Sequence, residues 1–135
     1  MPSVESGENL VESAFAGREL AKVEGLGGIV GASGQGATAR FFEYFTVNIR
    51  NPNTRRAYAK GVQSFLRFCR KQGIGRLQEV TPVLVAAYVE GHPGSKPTRK
   101  QHLAAVRMLF DWLVVGQVVP VNPAHAVRGP RHSVR

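Results

Sequence analysis

From Thr38 onward, apolar residues recur at helical spacing and mark four segments. Phe41, Phe42, Phe45 and Ile49 predict a short first helix over 38–49. The next segment is the most regular. Tyr58, Val62, Phe65, Leu66 and Cys69 form one apolar stripe. Asn51 is placed to cap it, and Pro52 fits the first helical position, where a missing N–H is harmless. Arg70 and Lys71 suit the C-terminal dipole, and Gly73 suits the residue after the cap, so the helix is expected over 51–73. Gly61 inside it costs about 1 kcal/mol relative to alanine, which predicts a close helix contact there. Residues 74–81 read as a connection, with Thr81 capping a third helix from Pro82. That helix, VLVAAYVEG, is apolar nearly all round and is expected to be buried. After a turn over 91–97, Ser95 or Lys96 precedes a fourth helix over 97–116, with Leu103, Val106, Phe110 and Leu113 as its core stripe.

Both ends lack this periodicity. Residues 1–36 hold eight glycines and are expected to be a flexible, disordered tail, with a weak helix over 8–24. The run GLGGIVGASGQG is not a phosphate loop, because Ala37 and Thr38 follow its last glycine instead of Lys and Ser or Thr. Residues 117–135 carry three prolines and read as a linker leaving the domain. The expected organisation is a tail over 1–36, an all-α domain over 37–120 and an exit linker over 121–135.

Charge sharpens the picture. The net charge is +9, yet residues 1–36 carry two basic and five acidic side chains. Residues 37–135 carry sixteen basic and four acidic ones, a net of +12. A field of that sign attracts polyanions, and nucleic acid is the leading partner class. No apolar run is long enough to span a bilayer, so no membrane association is expected. The lone Cys69 excludes an intramolecular disulfide and fits a cytoplasmic setting.

Two helix starts share one design: a polar cap, a proline, then basic and hydroxyl residues. The second helix offers Asn53, Thr54, Arg55, Arg56 and Lys60, and the fourth offers Lys96, Thr98, Arg99, Lys100, Gln101 and His102. Helix N-termini favour phosphate through unpaired N–H groups and the dipole. Arg, Gln, Asn and Thr can also address base edges. Other chemistry fails on spacing. His92, His102, His125 and His132 show no metal-ligand repeat, no cofactor is expected, and Trp112 is expected in the core.

The ordered run NPNTRRAYAKGVQSFLRFCRKQG, Thr81-Pro82 and SKPTRKQHLAAVRMLFDWLVVGQVVPVNPA resembles the N-terminal core-binding (SAM-like) domain of the tyrosine recombinase, or phage integrase, family. The resemblance covers about residues 38–130. It implies a compact bundle of four to five helices that grips a recombination half-site on double-stranded DNA. Carried over by position, it implies contacts from Thr54, Arg56, Lys60, Lys96, Thr98, Arg99, Gln101 and His102, with Arg55 and Arg107 as phosphate contacts. Family members cleave DNA with a tyrosine, an arginine pair, a lysine and histidines in a second domain. Here the last tyrosine is Tyr88, in the third helix, so no strand cleavage by this chain alone is expected. Two alternatives stay open. One is an interaction protein that pairs with a full-length recombinase, or with a separate catalytic domain, through the first or third helix. The other is the N-terminal part of an enzyme whose catalytic half lies elsewhere.

Overall fold

A computed structural model describes residues 29–44, 47 and 49–129 of the chain. The fold is all-α: α1 (Gln35–Glu43), α2 (Pro52–Lys71), α3 (Pro82–Gly91) and α4 (Lys96–Val115), with a 3₁₀ turn at Leu77–Glu79. No strand occurs among the described residues. The weak helix expected over 8–24 lies outside them.

Local chemistry fixes the helix ends. The Asn51 carboxamide oxygen accepts from the backbone N–H groups of Asn53 and Thr54, at 2.8 and 3.2 Å. Thr81 Oγ1 accepts from Leu84 N–H at 3.1 Å, and Ser95 Oγ from Thr98 N–H at 3.3 Å. Each such cap contributes about 1 kcal/mol. Helix α2 ends as its glycine foretells. Gly73 adopts φ +79°, Gly73 N–H reaches Arg70 O and Ile74 N–H reaches Cys69 O, both at 3.0 Å.

The core lies where α2 and α4 cross. From α2 come Val62, Phe65, Leu66 and Cys69; from α4 come Leu103, Ala105, Val106, Leu109, Phe110 and Leu113. Phe65 meets Phe110 edge-on, with ring centroids 6.1 Å apart, and Tyr88 of α3 at 5.2 Å. Phe41 and Tyr44 close the core from the α1 side. The Tyr44 hydroxyl donates to Ala105 O at 3.1 Å, and burial holds its pKa well above the usual tyrosine value. Trp112 is half-buried against the same core. Cys69 is fully enclosed, and burial pushes its thiol up to about 12, so it stays protonated and inert.

Three expectations need correction. Residues 29–36 are not part of a loose tail: Ile29 and Val30 are buried, Ser33 Oγ donates to Ile29 O at 2.6 Å, and Leu77 N–H donates to Ser33 Oγ at 2.7 Å. Helix α3 is not buried all round. Val85, Tyr88 and Val89 are covered, with Tyr88 against Phe65 and Phe68 of α2, while Val83 is 79% exposed. The segment after α4 does not leave the domain directly. Val119, Ala124 and Val127 are buried, and Asn122 Nδ2 donates to Arg107 O at 2.9 Å and to Asp111 Oδ1 at 2.8 Å.

Gly61 is the tightest point of the crossing. A Cβ there would lie 2.8 Å from Ala105 Cβ and 3.2 Å from His102 Cα, closer than atoms pack without displacement. Replacing Gly61 by valine should therefore destabilise the fold by about 1–3 kcal/mol, despite better intrinsic helix propensity. Chemical denaturation of the purified chain reads that change directly.

Candidate nucleic-acid interface

The basic residues of α2 divide by the face on which they lie. Arg55 precedes Val62 by seven residues and so falls on the apolar stripe. It is 2% exposed, and its guanidinium donates through Nε to Ile49 O at 2.9 Å and through a second nitrogen to the same oxygen. Arg55 therefore satisfies the chain that enters α2 and does not face solvent, which removes it from the expected phosphate contacts. Arg56, Lys60, Arg67 and Lys71 lie on the opposite, exposed face. Arg56 hydrogen-bonds the Asn53 side chain one turn back, which holds both at the helix start beside the exposed Thr54.

The start of α4 is ordered in the same way. Ser95 Oγ donates to Thr98 Oγ1 at 3.0 Å. Arg99 Nε donates back to Gly94 O at 3.1 Å and clips the turn between α3 and α4. Lys96 and Gln101 are exposed, while Thr98, Arg99, Lys100 and His102 are half-buried. Arg107 sits further along the helix. It holds Ala124 O through Nε at 3.2 Å and Val127 O through a second nitrogen, so it anchors the exit segment. Unlike Arg55 it is only half-buried, so its guanidinium combines that anchoring with partial exposure.

The helix crossing sets His102 against Gly61 and builds a polar relay that spacing did not foretell. Gly94 N–H donates to His92 Nδ1 at 2.9 Å. That leaves the His92 proton on Nε2, which faces His102 Nδ1 at 2.8 Å. The Tyr88 hydroxyl donates to Ser64 Oγ at 2.8 Å and lies 3.5 Å from the same His102 nitrogen. Burial, then His92, then Lys60 lower the His102 pKa from its usual 6.5. Burial and then Arg99 lower that of His92, whose side chain belongs to a residue 9% exposed. Both rings are held neutral. Burial likewise raises Tyr88 to about 12, against the opposing effect of its bond to Ser64.

Ser64, Arg67, Lys71, Tyr88 and His92 were not among the expected site residues. The first three had a legible signal, because they continue the Arg56–Lys60 face at intervals of three or four. Tyr88 and His92 had none, since another helix delivers them. Among the described residues no group of three His, Cys, Asp or Glu could hold a metal, and no helix is long and apolar enough to cross a membrane.

The relay has a consequence for pH. In the unfolded chain each histidine titrates near 6.5, whereas in the fold the pKa is lower. The unfolded state thus binds more protons as pH falls below that value, and the stabilisation present above it is lost. Thermal melts from pH 7.5 to 5 should show a falling Tm, and the double variant His92→Gln, His102→Gln should flatten that dependence. An unchanged slope in the double variant would show that other groups carry it.

Comparison with known proteins places this geometry in a family. No curated protein and no solved structure matches the chain. The model of the phage integrase N-terminal SAM-like domain matches residues 39–116, which is more than half of the chain and spans α2, α3, α4 and most of α1. With a helical bundle, the Asn51-Pro52 and Thr81-Pro82 helix starts and that match in agreement, the chain belongs to the phage integrase N-terminal SAM-like domain family.

Proposed function

We propose that the chain is a duplex-DNA-binding module that grips a recombination half-site through the starts of α2 and α4, and that strand cleavage is supplied by catalytic residues outside it. The observation that carries this reading is the pair of capped, proline-started, basic helix N-termini, brought together where α2 and α4 cross at Gly61. Family membership supports a DNA-binding role in recombination.

The proposed contacts are Thr54, Arg56 and Lys60 on α2, with Lys96, Thr98, Arg99, Lys100, Gln101 and His102 on α4. Arg107, half-buried further along α4, is a phosphate contact in this reading, and Arg55 is left out because it is buried on the Ile49 carbonyl. Neutral His102 suits a polar contact more than a charge, since its Nδ1 accepts within the relay and its proton lies on Nε2. A second reading, contact with a protein partner such as a full-length recombinase, is favoured by the exposed Val83 and the shallow apolar groove of Pro82, Ala86, Val89 and Val127 beside it.

Binding to duplex DNA should fall steeply with salt, with log K declining by about 0.9 per neutralised phosphate for each unit of log salt. Arg56→Ala and Arg99→Ala should each weaken binding and reduce that slope by about one. Arg55→Ala should instead cost about 1–3 kcal/mol of stability, because it strands a buried carbonyl. Val83→Glu should leave duplex affinity unchanged and abolish any association with a recombinase. Fluorescence anisotropy from 50 to 200 mM salt (about the range over which such contacts are resolved) decides the matter. Absence of duplex binding at low salt overturns the proposal.

A further inference from the structure

The turn that leads into α4 is built on one imidazole. The His92 ring accepts the Gly94 N–H on Nδ1 at 2.9 Å and faces His102 Nδ1 through Nε2 at 2.8 Å. It thus joins the end of α3, the turn and α4. The fit is tight. A Cβ on Gly94 would lie 2.8 Å from His92 Cε1 and 3.1 Å from Thr98 Cγ2, so ring, turn and Thr98 pack without slack. Arg99 Nε holds the same turn through Gly94 O at 3.1 Å, and Ser95, the next residue, caps α4. The two imidazole centroids stand 4.8 Å apart, and Tyr88 packs edge-on to His92 at 5.4 Å.

We propose that the His92–His102 pair is a proton-operated latch on the start of α4. With both rings neutral the Gly94 turn is closed and Thr98 and Arg99 are set for a nucleic-acid contact, and uptake of one proton by the pair opens it. The proton count carries the inference. Two neutral imidazoles hold two protons on four nitrogens, and here each proton has a place. His92 Nε2 donates to His102 Nδ1, and His102 carries its own proton on Nε2. A third proton has no place that keeps both bonds. On His92 Nδ1 it faces the Gly94 N–H. On His102 Nδ1 it faces the His92 proton, unless that proton moves to His92 Nδ1, where it again faces Gly94. One of the two bonds must break, because opposed donors repel and leave a buried group unpaired. The Tyr88 hydroxyl, 3.5 Å from His102 Nδ1, offers an alternative acceptor once the pair has parted.

The surroundings set the sign. The pocket beside His92 is lined by Arg67 and Lys71 of α2 and by Tyr88 of α3, with no carboxylate among its lining residues. Glu90 of α3 lines the groove of Pro82 and Val83 instead. Lys60 of α2 and Arg99 of α4 act on the pair as like charges, and burial adds to them. The neutral pair is therefore favoured, and the latch opens only as pH falls below the ordinary histidine value of 6.5. Added positive charge alone would strengthen binding to a polyanion at low pH. The latch predicts the opposite. His92 is a positioning residue, since it acts through Gly94 on the contacts of α4. Its effect on binding rests on the duplex-binding reading, whereas the opening of the turn does not.

The test is NMR of the full chain from pH 7.5 to 5, with duplex affinity measured over the same range at constant ionic strength and helical circular dichroism confirming the fold at each pH. The Gly94 amide should titrate together with the His92 and His102 rings, at a midpoint below 6.5, and lose its exchange protection. Duplex affinity should fall with it, approaching about tenfold per pH unit below that midpoint, since only the closed fraction binds fully. His92→Asn puts a carboxamide oxygen that does not titrate near the place of Nδ1. It should match the unaltered chain in duplex affinity at pH 7.5, hold the Gly94 amide constant and remove the loss of affinity at low pH. If that variant does not fold, the Gly94 titration of the unaltered chain decides alone. A Gly94 amide that fails to titrate with the two rings overturns the inference. Duplex affinity with the same pH dependence in both chains also overturns it and leaves the duplex reading standing. A Gly94 turn that titrates in a chain binding no duplex at any pH refutes the duplex reading and leaves the proton response of the turn intact.

Discussion

The approach of α2 to α4 at Gly61 is the constraint on which the other features depend. With no side chain at Gly61, Ala105 and the His102 backbone come within a distance that any Cβ would forbid. That closeness lets Phe65 reach Phe110 and Tyr88 together, so one ring joins three helices. It also places His102 where it meets His92. A wider crossing would separate these groups and leave buried polar atoms unpaired, at a cost comparable to a lost hydrogen bond each.

The bundle spends two of its arginines on itself. Arg55 holds the carbonyl of Ile49 just before α2, and Arg107 holds the carbonyls of Ala124 and Val127 after α4. Each ties an irregular segment to a helix through backbone C=O groups. The positive charge of the domain is thus partly structural, and the surface offered to a polyanion is narrower than the net charge implies. What remains exposed is ordered. Arg56, Lys60, Arg67 and Lys71 share a single face of α2, and the Ser95 cap and Arg99 fix the turn that leads into α4.

The helix termini were legible because capping is local chemistry. Asn51, Thr81 and Ser95 each bond a backbone N–H two or three residues away, and Gly73 supplies a positive φ that few other residues adopt. The inward turn of Arg55 was legible too, since it shares a helical face with Val62 and Leu66, but counting it as a charge hid this. Misreadings arose where burial depends on distant partners. Helix α3 is apolar nearly all round, and composition cannot say which side another element covers. Residues 29–36 are rich in glycine, yet Ser33 finds the Leu77 amide 44 positions away. The proline-containing exit packs back because Arg107 and Asn122 bond across it.

The sequence by itself determined four helices, the boundaries of the last three to within a few residues, the close contact at Gly61 and the family, because each rests on periodicity, capping or residue order along the chain. Tertiary structure decided which charges face solvent and which histidines meet. Ser64, Tyr88, His92 and His102 come from three helices, and no spacing along one of them foretells a hydrogen bond to another. Burial and mutual proximity then set their protonation, and both exist only once the helices have packed.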